Sequence, residues 1–98
     1  MKTLKDFERI AKENNITVVY MDCSNKPLKA FIIFMDGNYY IMIDSSASMK
    51  DKRDMLAQEL AHFFTKAFYN ANASDQEKLN KENIANAYMR KEFLNDEK

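Results

Sequence analysis

Gln58-Glu59-Leu60-Ala61-His62 is the part of the chain whose residue types and spacing best suit chemistry. Positions 58 and 62 are four residues apart, so in a helix their side chains project from the same face. In an H-E-x-x-H helix this spacing places two imidazoles on one zinc ion, and the intervening Glu acts as a general base. Gln58 stands at the first histidine position here. A lone E-x-x-H match also arises by chance in many helices, as a surface Glu beside a partly buried His.

Cys23 is the only cysteine, so the chain can form neither an intramolecular disulfide nor a cysteine-based zinc cluster. The one histidine is far from it in sequence, and an incidental thiol is a better interpretation of Cys23 than a nucleophile. A single cysteine suits a reducing compartment, so we expect a cytoplasmic protein. Charges interrupt the apolar residues at the N-terminus, and no apolar run approaches the roughly 20 residues that span a bilayer. We therefore expect neither a signal peptide nor a membrane span.

The overall composition is that of a small globular protein. The 98 residues are 46% hydrophobic, and 15 basic residues balance 15 acidic ones. A net charge of zero gives no bulk attraction to nucleic acid or to anionic membranes, so direct binding of either is not expected. The length predicts a single domain over residues 1–98.

Hydrophobic spacing and turn residues predict an α+β fold. An N-terminal helix is expected over residues 3–14, strands over 16–21, 30–35 and 39–43, a long helix over 49–70 and a last helix over 75–94. Asp36-Gly37 separates two apolar runs and predicts a hairpin, so we expect a sheet of at least three strands that is largely antiparallel. Ser48 and Ser74 are the expected N-caps of the two later helices.

Apolar residues at helical spacing give the expected core of both later helices. These are Leu56, Leu60, Phe63, Phe64, Ala67 and Phe68 in the long helix, and Leu79, Ile84, Ala85, Tyr88 and Met89 in the last one. For Tyr69 and Tyr88, aromatic packing is the expected role, in preference to hydrogen bonding at a reactive site.

The order and spacing of these motifs resemble the ImmA/IrrE family of zincin-like metallopeptidases, which are common in bacteriophages and integrative elements. That family typically shows a strand I-x-I-(D/N), then L-A-H-E-L-(G/A)-H, then E-x-x-A on the following helix. This chain has Ile41-Met42-Ile43-Asp44, then Leu56-Ala57-x-Glu59-Leu60-Ala61-His62, then Glu82-x-x-Ala85. The resemblance covers about Leu4 to Phe93 and implies a zincin-like arrangement of the sheet and the long helix.

The resemblance also implies a role for each matching residue. His62 corresponds to the second histidine ligand of the metal, Glu82 to the downstream carboxylate ligand, and Glu59 to the general base. Gln58 occupies the position of the first histidine ligand and departs from the pattern. A catalytic zinc normally has three protein ligands, and a neutral amide suits Zn²⁺ poorly beside imidazole. Zinc is thus the implied cofactor, but Gln58 predicts weak binding and impaired or absent hydrolysis.

Three functions are compatible with these residues. The first is a degenerate metallopeptidase-like domain of phage or mobile-element origin, which binds a regulatory protein such as a helix-turn-helix repressor. The second is an active zinc-dependent endopeptidase that cleaves such a regulator, with Gln58 or another residue completing the coordination. The third is a structural or interaction module without a cleft function, in which Glu59, His62 and Glu82 do not converge.

Overall fold

The computed structural model describes residues 2–70 and 72–94 and has an α+β architecture, as predicted. Its elements are α1 (Leu4–Glu13), β1 (Ile16–Met21), β2 (Ala30–Met35), β3 (Asn38–Asp44), α2 (Met49–Thr65) and α3 (Asp75–Tyr88). The last helix continues directly into a π-helical turn, Met89–Phe93. None of these helices is long and apolar enough to cross a lipid bilayer.

Side-chain caps fix where the helices begin. Ser48 accepts a hydrogen bond from the backbone N–H of Asp51, and Ser74 accepts one from Glu77. Both predicted N-caps are therefore confirmed. A cap of this kind satisfies one of the N–H groups that the first turn of a helix leaves without a partner.

The sheet has the strand order β1-β3-β2, with β3 in the centre. β2 and β3 form the predicted antiparallel hairpin around Asp36 and Gly37, which have φ angles of 53° and 83°. Two consecutive residues with positive φ make a type I′ turn, whose twist matches that of the two strands.

β1 runs parallel to β3, pairing Val18 with Ile41 and Tyr20 with Ile43, so the sheet is mixed. The prediction of a largely antiparallel sheet was wrong. Ile41 and Ile43 are completely buried, which places β3 at the centre of the sheet. β1 and β2 run in opposite directions but lie on either side of β3, so neither can pair with the other.

Helices α1 and α2 pack on the sheet, and α3 packs against α2. Their core consists of the fully buried side chains Phe7, Ala11, Ile41, Ile43, Leu56, Ala57, Leu60, Ala61 and Ala85, joined by Ile16 and Phe93. Leu79 and Ile84, predicted to be core residues, are 54% and 48% exposed. The buried side of α3 instead follows Glu82, Ala85 and Met89, a helical face from which positions 79 and 84 diverge.

Candidate functional site

A cleft of about 730 Å³ lies between strand β2 and helices α2 and α3. Gln58, Glu59, His62 and Glu82 all lie on its wall, together with Tyr69 from the segment between the two helices. The structure thus brings together the four site residues that the sequence singled out. A structural module without a cleft function was expected to keep Glu59, His62 and Glu82 apart, and the structure instead places them on one cleft wall.

His62 is held in one orientation by the end of its own helix. The imidazole is only 6% exposed, and its Nδ1 lies 2.7 Å from the backbone carbonyl oxygen of Ala67. A carbonyl can only accept a hydrogen bond, so Nδ1 carries the proton. Nε2 then faces the cleft, 3.3 Å from Oε1 of Glu82.

Helix α2 ends at Thr65, five residues before the end predicted at Asn70. Lys66 adopts the left-handed conformation with φ 58°, and the N–H of Ala67 bonds to the carbonyl of His62. This reversal turns the carbonyl of Ala67 towards the His62 ring. The prediction was wrong because a helix end of this type usually carries Gly or Asn, and the chain has Lys at that position.

Glu82 is the centre of the polar contacts in the cleft. Its Oε1 accepts a hydrogen bond of 2.8 Å from the Gln58 amide, and its Oε2 accepts one of 2.7 Å from the Tyr69 hydroxyl. The bond to Glu82, reinforced by burial, raises the pKa of Tyr69 to about 12. The role predicted for Tyr69 was aromatic packing, but its main polar contact is this hydrogen bond to Glu82. Tyr88 does pack as predicted, against the rings of Phe64 and Phe93.

Glu59 lies beside this network and is largely buried. It makes no hydrogen bond or ion pair with the other described residues. Burial raises its pKa from 4.5 to about 7; the positive charge that His62 can carry opposes this rise, and the negative charge of Glu82 adds to it. A carboxyl group with a pKa near neutrality is suited to proton transfer at physiological pH.

The donor set does not fit a three-ligand zinc site. Within the described residues, no group of three or more His, Cys, Asp or Glu side chains is arranged to hold a metal ion. His62 and Glu82 offer one nitrogen and one carboxylate. At the third position Gln58 turns its NH₂ group, which has no free lone pair, towards Glu82. A metal ion at this point would have to displace that hydrogen bond and gain no charge from the amide.

Comparison of the chain with protein-family models, with curated proteins and with solved structures finds no match. The resemblance to ImmA/IrrE peptidases thus depends on the motifs in the sequence. The cleft geometry bears on function independently of that resemblance. It combines an oriented imidazole, two carboxyl groups and an amide in one partly enclosed space.

Proposed function

We propose that this chain is a degenerate metallopeptidase-like domain of the ImmA/IrrE type that binds a segment of a regulatory protein with impaired or absent hydrolysis. The observation that carries the proposal is the hydrogen bond from the Gln58 amide to Glu82. It occupies the point at which a third metal ligand is required, and it leaves the surrounding cleft intact. In the proposed zincin-like arrangement, the amide of Gln58 replaces the first histidine ligand, while the cleft that binds a peptide is retained.

Strand β2 supports binding of an extended peptide. It pairs only with β3 within the described sheet, so its other edge presents unpaired backbone groups along the cleft. All six residues, Ala30–Met35, are apolar. Exposed edge strands are usually protected by charges, proline or a covering element, and β2 itself contains neither charge nor proline. An extended segment of a partner can add to such an edge as a fourth strand.

The partner class comes from the resemblance. ImmA/IrrE proteins of phages and mobile elements typically act on repressors or other helix-turn-helix regulators, so a regulator of this kind is the proposed partner. The balanced charge of the chain is consistent with contact to a protein and gives no support to direct contact with DNA.

Restoring the missing ligand tests the proposed origin of the cleft. Gln58→His should bring zinc to nearly one ion per chain in metal-supplemented buffer, because it completes a set of two histidines and a carboxylate. The unchanged protein should bind zinc at least about 10-fold more weakly. Gln76→His, an exposed glutamine on α3, controls for the addition of a histidine elsewhere. If Gln58→His gains no more zinc than Gln76→His, the zincin-like geometry is refuted.

The active endopeptidase is the second candidate, and the pKa of Glu59 near 7 favours it. It requires stoichiometric zinc in the unchanged protein and proteolysis that a chelator and Glu59→Gln both abolish.

Partner binding is tested separately with a photo-crosslinking amino acid at Ile33, beside the cleft, and at Met49, away from it. We expect a regulatory protein to be crosslinked from position 33 only. Equal recovery from both positions would contradict binding in the cleft.

A further inference from the structure

We infer that the cleft recognises a basic side chain of the bound segment, and that this cation sits among Glu59, His62 and Glu82. The inference rests on the proposed function and names the chemistry of the partner segment. The ligand is an extended peptide with an arginine or lysine at the position that faces α2.

The first argument is the orientation of His62. Because Nδ1 donates to the carbonyl of Ala67, Nε2 of the neutral ring is an acceptor. It points at Oε1 of Glu82, another acceptor, at 3.3 Å. A proton on Nε2, which makes the ring the partner of Glu82 in an ion pair, satisfies this contact, and with a neutral ring a donor from a bound group has to do so.

The second argument is the charge that surrounds this pair. Glu82 receives hydrogen bonds from two neutral groups, the Gln58 amide and the Tyr69 hydroxyl, so its negative charge is not neutralised by them. Glu59 adds a second carboxyl group that has no hydrogen-bond partner among the described residues. Two lysines line the same cleft, but Lys29 donates to the backbone carbonyls of Cys23 and Ser24, and Lys78 forms no ion pair with any described residue. Apart from His62, which can itself carry a positive charge, no cationic side chain among the described residues is bonded to Glu59 or Glu82.

The third argument is that an extended peptide can pair with the open edge of β2 and also reach the carboxyl groups of Glu59 and Glu82. A strand added to β2 directs alternate side chains to the same side, so one of them points towards α2 and its carboxyl groups. A guanidinium group carries five N–H donors in a plane and can bond to two carboxylates and an imidazole nitrogen together. A basic side chain thus supplies the positive charge that the resemblance assigns to a metal ion.

The test uses two short peptides in chelator-treated buffer, Ac-Val-Arg-Val-NH₂ and its neutral isostere with citrulline in place of arginine. His62 is the only histidine, so its ring protons are unambiguous reporters in an NMR titration. We expect the arginine peptide to shift the His62 and β2 signals and to bind at least 10-fold more tightly than the citrulline peptide. Glu59→Gln should remove most of that preference, whereas Glu13→Gln, an exposed site on α1, should leave it unchanged.

The outcomes separate this inference from the proposed function. Equal binding of the two peptides at β2 would overturn the inference and leave peptide binding in place. Shifts of β2 signals without any change at His62 would do the same. If neither peptide shifts β2 or His62 at millimolar concentration, both the inference and the proposed peptide site are overturned. Retention of the full arginine preference in Glu59→Gln and in Glu82→Gln would also contradict it.

Discussion

Glu59 couples the chemistry of the cleft to the stability of the fold. Burial holds its pKa at about 7 in the folded chain, whereas an unfolded chain gives it a value near 4.5. Between these two pH values the folded state binds more protons at this carboxyl group than the unfolded state does. The free energy of unfolding therefore falls as the pH rises from about 4.5 to about 7, and it levels off above that range.

We expect the contribution of Glu59 to lower the free energy of unfolding by on the order of 2–3 kcal/mol between about pH 5 and pH 8. Glu59→Gln should remove most of this decline, because an amide does not titrate, and should make the protein more stable than the unchanged chain at the higher pH. Urea denaturation at both pH values measures the difference. Glu13→Gln, exposed on α1, should keep the slope of the unchanged protein. Parallel pH profiles for Glu59→Gln and the unchanged protein would rule out a raised pKa at this position.

Much of the site was predictable at the scale of single residues, but its hydrogen-bond partners were not. Spacing alone put Gln58 and His62 on one helical face, and the resemblance added Glu82 from the next helix. Packing was predicted for Tyr69 because it is the commoner role of an aromatic side chain. Its bond to Glu82 exists only because α2 ends early, and that depends on one backbone conformation at Lys66.

At the scale of elements, the end of α2 determines the orientation of His62. Lys66 is a non-glycine residue in the left-handed region, a conformation that costs an L-residue about 1–2 kcal/mol. Its ammonium group lies 4.6 Å from the centre of the Phe63 ring, which offsets part of that cost. The segment that supplies the Ala67 carbonyl is therefore positioned by a strained residue.

Lys66→Gly should raise the free energy of unfolding by about 0.5–1 kcal/mol, since glycine adopts positive φ without steric cost. The gain is smaller than the strain because the contact with Phe63 is lost. Lys66→Val should destabilise by more than 1 kcal/mol, roughly, because a β-branched residue is disfavoured at positive φ. Thermal and urea unfolding measure both changes. A stabilising Lys66→Val would show that α2 does not end in the left-handed conformation.

The topology of the sheet illustrates the limit of local patterns. Asp36-Gly37 identified the hairpin because both turn residues and flanking strands are adjacent in sequence. The pairing of β1 depends on which strand lies at the centre, and that is decided by burial of Ile41 and Ile43 in the core shared with the helices. No turn signal near β1 carries that information, so its parallel partner could not be predicted.

At the scale of the whole molecule, the helices of the described part of the chain lie on one side of the sheet. Six side chains alternate with those that face the helices and so lie on the opposite face of the sheet, with two of them, Phe31 and Ile33, at the edge that borders the cleft: Thr17, Val19, Phe31, Ile33, Tyr40 and Met42. Such a face usually carries polar residues when it meets water. Apart from Thr17, the side chains on this face are apolar or aromatic, and together with the open edge of β2 they form a surface of the kind that marks an interaction site.

We expect the protein to self-associate reversibly through this surface when no partner covers it. Replacing Ile33 and Met35 together by lysine places charges on the outer face and edge of β2, which opposes strand addition and the stacking of two such faces. In sedimentation equilibrium, the average mass of the unchanged protein should rise above 11.5 kDa with concentration. The average mass of the double variant should remain that of the monomer at every concentration. Met49→Lys alters a side chain that is 66% exposed at the start of α2, away from the sheet, and should associate like the unchanged protein. If the unchanged protein stays monomeric at all concentrations, this face is stable in contact with water and the predicted self-association is wrong. Loss of association in Met49→Lys would instead assign it to the helical side.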